Sequence, residues 1–218
     1  MPTIKCVLPF LAAMAMISPA IAQDGAPPLP LTSEGDRLVL EALDHKVTMP
    51  RPDWIGGEDS SALTAEVSPR FVDLGDQAHL ELYPRGEGAA FWSRLFGARL
   101  TRMPEPVLAD FRATVIDVYA RSCRPDATAF FQLEPDDGDN LPPLGFVCGS
   151  YRDPVDADEG EVTLIGFLKS DDSVAIVYQG WRGKAFEPSD TATWPVTPDE
   201  LEQQVNRFKT ETALGNAD

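Results

Sequence analysis

The chain has 218 residues and a formal net charge of −17, from 35 acidic and 18 basic side chains. So acidic a surface repels phosphate backbones and anionic lipid, which argues against nucleic acid and membrane surfaces as partners. The length suits one domain with a real hydrophobic core, and no Walker or dinucleotide-type glycine pattern is present.

Lys5 precedes an almost wholly apolar run over residues 6–17, and Ser18, Pro19 and "AIA" at 20–22 follow. A positive start, an apolar middle and a small-x-small site are the parts of a cleaved signal peptide. The run is shorter than the roughly 20 residues a membrane helix needs. Residues 1–22 therefore read as a signal peptide cut between Ala22 and Gln23. The product is periplasmic or secreted, with no stable membrane insertion after processing. Residues 23–35, rich in Pro and Gly, read as a flexible lead, and residues 36–218 as a single domain.

In chain order, "HKVTMP" alternates polar and apolar residues and stops at Pro50, with Trp54 following as a cap on the core. Strands are expected over 62–67 and 78–84. In the second, Leu80 and Leu82 face one way and His79, Glu81 and Tyr83 the other. "GAAFWSRLFG" (88–97) has apolar residues at helical spacing between glycines and predicts a short helix. Residues 104–123 predict a long one, with Val107, Leu108, Phe111, Val115, Val118 and Tyr119 on its buried face. Four strands are expected at 127–134, 144–152, 160–170 and 173–183, the last two joined by the tight turn "KSDDS". "TPDE" then opens the final helix as a capping box, with Thr197 as N-cap and Glu200 at N3. The predicted fold is α+β, a mainly antiparallel sheet with the two long helices packed on one face.

"ELYPRGEGAAFWSRLF", "GEVTLIGFLKSDDSVAIVYQGWR" and "VTMPRPDW" together resemble PsbP-type α/β/α sandwich domains. The first matches that family's strand, Pro-x-Gly and Trp-bearing helix, the second its late hairpin and the third an early strand. Members of that family are mostly accessory or binding proteins, and the resemblance implies such a role. The cysteine pair described next is no part of that pattern.

With the signal removed, Cys123 and Cys148 remain, and an even count in an oxidising compartment predicts a disulfide. Gly145 and Gly149 would give the backbone room at Cys148. The only histidines, His45 and His79, lack zinc-ligand spacing and read as solvent-facing. Asp153, Asp156, Asp158 and Glu161 form an acidic loop that offers oxygen ligands for calcium, but without EF-hand spacing. No G-x-S-x-G elbow is present, and Ser150 has no histidine linked to it by pattern. Tyr178, Trp181, Arg182 and Trp194 could line a ligand groove near the last hairpin, with core packing as the competing account. The sequence thus predicts an exported, non-catalytic accessory or binding domain, part of an envelope assembly, with no cofactor. Its expected partner is another envelope protein or a small ligand. The alternative is an exported hydrolase.

Overall fold

A computed structural model describes residues 29–57, 63, 65–138 and 141–217. The expected signal peptide, the Ala22–Gln23 junction and the first part of the lead lie outside the described residues.

The molecule is organised around two long strands, β9 (Glu159–Lys169) and β10 (Ser173–Lys184). Along β10, Ala175, Val177 and Trp181 point to one side, and Val174, Ile176 and Tyr178 to the other. β9 repeats the pattern, with Val162 and Leu164 against Ile165 and Phe167. Strands that are apolar on both faces must be covered on both faces. They sit in the middle of a seven-stranded antiparallel sheet ordered β4-β5-β6-β10-β9-β8-β7. Its other members are β4 (Val67–Asp73), β5 (Gln77–Pro84), β6 (Arg94–Arg102), β7 (Thr128–Gln132) and β8 (Leu144–Cys148).

Helix α1 (Leu108–Ser122) covers one face through Leu108 and Val115. The other face is covered by helix α2 (Pro198–Glu211), through Leu201, Val205 and Phe208, together with a second sheet. That sheet contains β1 (Leu31–Glu34), β2 (Arg37–Ala42), β3 (His45–Pro50) and β11 (Ala213–Asn216), in the order β1-β2-β3-β11. It presents Leu38, Leu40, Val47 and Met49 to the core.

The predicted fold class is therefore corrected. The two helices lie on opposite faces of the large sheet, and strand outweighs helix at 45% to 21%. The physical reason is the two-sided apolar character of β9 and β10, which one helical layer cannot satisfy. The second sheet was hidden by its turns. Gly35, at φ 65°, closes the β1–β2 hairpin, so part of the expected flexible lead is strand. The β2–β3 turn places Leu43 and Asp44 at φ 52° and 63°, the mirror-image turn usually made by Asn-Gly.

Other elements also differ from expectation. The 88–97 helix is a turn followed by the start of β6, so the Trp-bearing helix of the PsbP pattern is absent. Phe96, Ala98 and Leu100 alternate into the core, and this period of two overrides the helical spacing upstream. The strand expected at 62–67 gives way to β4, which tolerates Pro69 because it is an edge strand. On α1, Val107 and Val118 are each 57% exposed, so its buried stripe is narrower than the spacing suggested. The Thr197 side chain caps α2 by accepting from the Glu200 N–H at 3.2 Å. Glu200 itself is not the reciprocal half of the box that was expected. Its carboxylate accepts from Trp181 Nε1 at 2.9 Å and pairs with Arg94 at 3.0 Å, fixing α2 to β10 and β6.

One glycine controls how β5, β6 and β10 meet. Gly97 lies opposite Tyr178 on β10, and the Tyr178 ring crosses it so that its hydroxyl donates to the Leu80 carbonyl at 3.3 Å. A Cβ at Gly97 would collide with that carbonyl and come within 2.7 Å of the Tyr178 hydroxyl. Gly97→Ala is expected to destabilise the fold by about 3 kcal/mol, the cost of overpacking a closed contact. Urea unfolding measures this, and a change below about 0.5 kcal/mol, as at an ordinary surface position, would contradict the packing described.

Candidate functional site

Strand alternation sets polar side chains on the α1 face of the large sheet. β5 contributes His79, Glu81 and Tyr83, β6 contributes Leu95 and Arg99, and β10 contributes Ile176 and Tyr178. Over this region α1 parts from the sheet and leaves a cavity of about 310 Å³. The helix supplies its opposite wall with Phe111, Thr114, Val115, Val118 and Tyr119. The volume is at the small end of ligand pockets, roughly 300–1,000 Å³.

The polar groups of the cavity fall into two classes. Glu81 is engaged through one oxygen: its Oε2 accepts from Arg70 Nη1 at 2.7 Å and from the Tyr83 hydroxyl at 2.9 Å. Burial first, and then that carboxylate, push the Tyr83 phenol pKa up. His79 accepts a hydrogen bond at Nε2 from Arg99 Nε at 2.7 Å. Burial and the Arg99 charge hold His79 below the ordinary imidazole range, so it is neutral. The second class has spare donors. Arg99 makes no ion pair with any described carboxylate, and the Tyr119 hydroxyl has no hydrogen-bond partner among the described residues. Burial raises the Tyr119 and Tyr178 phenols well above their usual range, so both remain protonated.

A second polar centre lies on the same face beyond Tyr178. The Arg182 guanidinium is stacked between the Trp92 and Tyr151 rings, at 5.4 and 4.8 Å from their centroids. It pairs with Glu159 at 2.6 Å and Asp156 at 3.5 Å, and its side chain is only 10% exposed. Beside it, buried Glu161 accepts from the Tyr151 hydroxyl at 2.5 Å. Burial dominates and raises the Glu161 pKa, against the hydrogen bond from Tyr151 and the Arg182 charge.

The disulfide lies next to this centre. Cys123 and Cys148 are bonded with Cα atoms 5.6 Å apart, and Cys148 is directly opposite Glu161 across β8 and β9. Backbone bonds from Arg124 to Ser150 and from Gly149 to Ala127 hold the two segments together. The room at Gly145 serves another purpose than the one expected, since the Phe131 ring fills it. Gly149 likewise makes way for the Phe186 carbonyl and Pro188.

The remaining predicted site residues separate. Tyr178 and Arg182 share the α1 face, whereas Trp181 is buried on the opposite face and Trp194 packs on Phe131 and Phe186. The four do not form one groove. The proposed calcium loop also disperses. Asp153 accepts from the Val155 N–H, Asp156 pairs with Arg182, the Asp158 carbonyl accepts from the Ala185 N–H and Glu161 turns inward. Among the described residues, no three His, Cys, Asp or Glu side chains converge.

His45 is not solvent-facing: it is 3% exposed, and sequence reasoning missed its surroundings. Ser170 Oγ lies 3.3 Å and Asp172 Oδ1 3.0 Å from its Nε2, while Nδ1 donates to the Leu43 carbonyl at 2.8 Å. These are the residue types of a nucleophilic triad in the wrong arrangement. A triad needs the acid on one ring nitrogen and the nucleophile on the other. Here Asp172 and Ser170 compete for one nitrogen, and the hydrogen bond from His45 holds the Asp172 carboxyl below its usual range. The cluster clamps the β9–β10 turn onto the start of β3.

Glu161 gives a pH test. Its folded pKa lies above the unfolded value, so the native state holds more protons and stability falls as pH rises through that interval. Glu161→Gln keeps an acceptor for Tyr151 and is expected to flatten this fall above the ordinary carboxyl range. Urea unfolding as a function of pH reads it, and parallel profiles for variant and parent would contradict the assignment. Compared with known proteins, the chain matches no protein-family model and no characterised protein.

Proposed function

We propose that the chain is an exported, non-catalytic binding domain that holds a small, largely apolar ligand between α1 and the large sheet. The observation that carries this reading is the cavity itself, with walls from Leu95, Phe111, Val115, Val118 and Ile176 and a few convergent polar groups. That composition is what small-molecule sites usually have. The amino-terminal signal pattern supports export, and the resemblance to PsbP-type domains supports an accessory role in an envelope assembly. Among the described residues, no helix is long and apolar enough to cross a membrane.

The hydrolase alternative has one observation in its favour, the meeting of Ser170, His45 and Asp172. Their shared use of Nε2 and the burial of His45 weigh against it. Inside the cavity no hydroxyl is activated by His79: its Nε2 is taken by Arg99, and Thr114 donates to the Asp110 carbonyl of its own helix.

At close to 30 Å³ for each non-hydrogen atom, the cavity holds a molecule of about ten such atoms. Calorimetry with 1-octanol is expected to show saturable one-to-one binding. Thr114→Trp fills the cavity from its exposed rim and should remove that binding while leaving the melting temperature nearly unchanged. Absence of saturable binding, or binding untouched by Thr114→Trp, would overturn this reading.

A further inference from the structure

We infer that the ligand of this cavity is a small monocarboxylate with an apolar tail, its head held by Arg99 and Tyr119. The inference rests on the binding reading above and adds the chemistry of the ligand.

The chain has nearly twice as many acidic as basic side chains, and most of its guanidinium groups hold a carboxylate. Arg70, Arg94, Arg102, Arg112, Arg121, Arg124, Arg182 and Arg207 each do so. Arg99, at the polar end of the cavity, spends only Nε, and spends it on the neutral imidazole of His79. Its terminal N–H groups have no partner among the described residues, and the side chain is exposed at the cavity mouth, open to a partner from solution. A guanidinium presents paired donors that match the two oxygens of a carboxylate.

Tyr119 lines the same cavity. Its ring is fixed edge-on against Phe146, at 5.1 Å between centroids, and its hydroxyl has no hydrogen-bond partner among the described residues. Arg99 and Tyr119 both line this one cavity, Arg99 from β6 and Tyr119 from α1. Both can donate. Glu81, the one carboxylate lining the cavity, already has its charge matched by Arg70, through the Oε2 that also accepts from the Tyr83 hydroxyl. The patch therefore asks for an acceptor that carries negative charge.

The lining matches a single negative charge. Arg99 is the single uncompensated cation of the lining, in a domain whose overall field repels anions. A dianionic head such as a phosphate monoester would meet Glu81 and the surrounding acidic surface with half its charge unmatched. Leu95, Phe111, Val115, Val118 and Ile176 of the lining offer apolar surface to the tail.

The test compares octanoate with 1-octanol, which share a tail and differ in the head, by calorimetry on the full chain. Octanoate is expected to bind at least tenfold more tightly. Arg99→Gln should erase that advantage by weakening octanoate at least tenfold more than 1-octanol, and Tyr119→Phe should weaken octanoate several-fold more than 1-octanol. Equal affinities for the two probes, or an advantage that survives Arg99→Gln, would overturn the carboxylate inference and leave the cavity reading standing. If neither probe binds the parent protein, both readings fall together.

Discussion

Burial of β9 and β10 on both faces is the constraint from which the rest of the architecture follows. A seven-stranded sheet spans about 29 Å across its strands, at close to 4.8 Å each, while one helix covers only about 10–12 Å. On one face α2 and the four-stranded sheet share the work and close the core. On the other face α1 works alone. It covers the centre, where Ile165, Val174 and Ile176 lie, and leaves a flank to either side. Each flank has its own solution. Toward β7 and β8, the disulfide and the Phe146 and Phe130 rings fill the space, and Tyr119 packs on Phe146 at the boundary with the cavity. Toward β5 and β6, the sheet turns polar and a cavity remains. The candidate site is thus a consequence of sheet width, at the place where the sequence exchanges apolar residues for His79, Glu81 and Arg99.

The polar chemistry beneath α1 is organised by arginine. Arg70 neutralises Glu81, Arg182 is held between two rings above buried Glu161, and Arg99 keeps donors in reserve. An arginine stacked on two rings gains on the order of 1–2 kcal/mol from cation–π attraction and keeps its hydrogen-bonding edge. Arg182 pairs through Nη2 with Glu159 and Asp156, which makes its centre structural. Arg99 has no such partner, and this difference separates the two neighbouring centres into scaffold and site.

Much of the frame can be read in the sequence. The double-sided apolar runs of β9 and β10, the capped start of α2, the division of β5 into an apolar and a polar face, and the cysteine pair all carry strong local signals. What escaped has physical causes. The β2–β3 turn uses Leu43 and Asp44 where glycine and asparagine would have announced a hairpin, and β11 is a four-residue strand that exists only by pairing with β3. Segment 88–97 mimics helical spacing because Phe91 and Trp92 belong to a turn and Leu95 and Phe96 to opposite faces of β6. The groove expectation grouped Tyr178, Trp181 and Arg182 by closeness in the chain, although strand neighbours an odd number of residues apart face opposite sides. The signal that would have led to the cavity was already visible in the polar stripe of His79, Glu81 and Tyr83. It lacked only the knowledge that α1, rather than water, lies opposite.

The central claim is that the gap between α1 and the β5–β6 flank is a binding site. Amide chemical-shift mapping by NMR during an octanoate titration tests it most directly. The account predicts progressive, saturable shifts confined to His79, Arg99, Val115, Tyr119, Tyr178 and their neighbours, with α2 and the four-stranded sheet unmoved. Shifts that centre on the α2 face, or that spread over the surface without saturating, would contradict it.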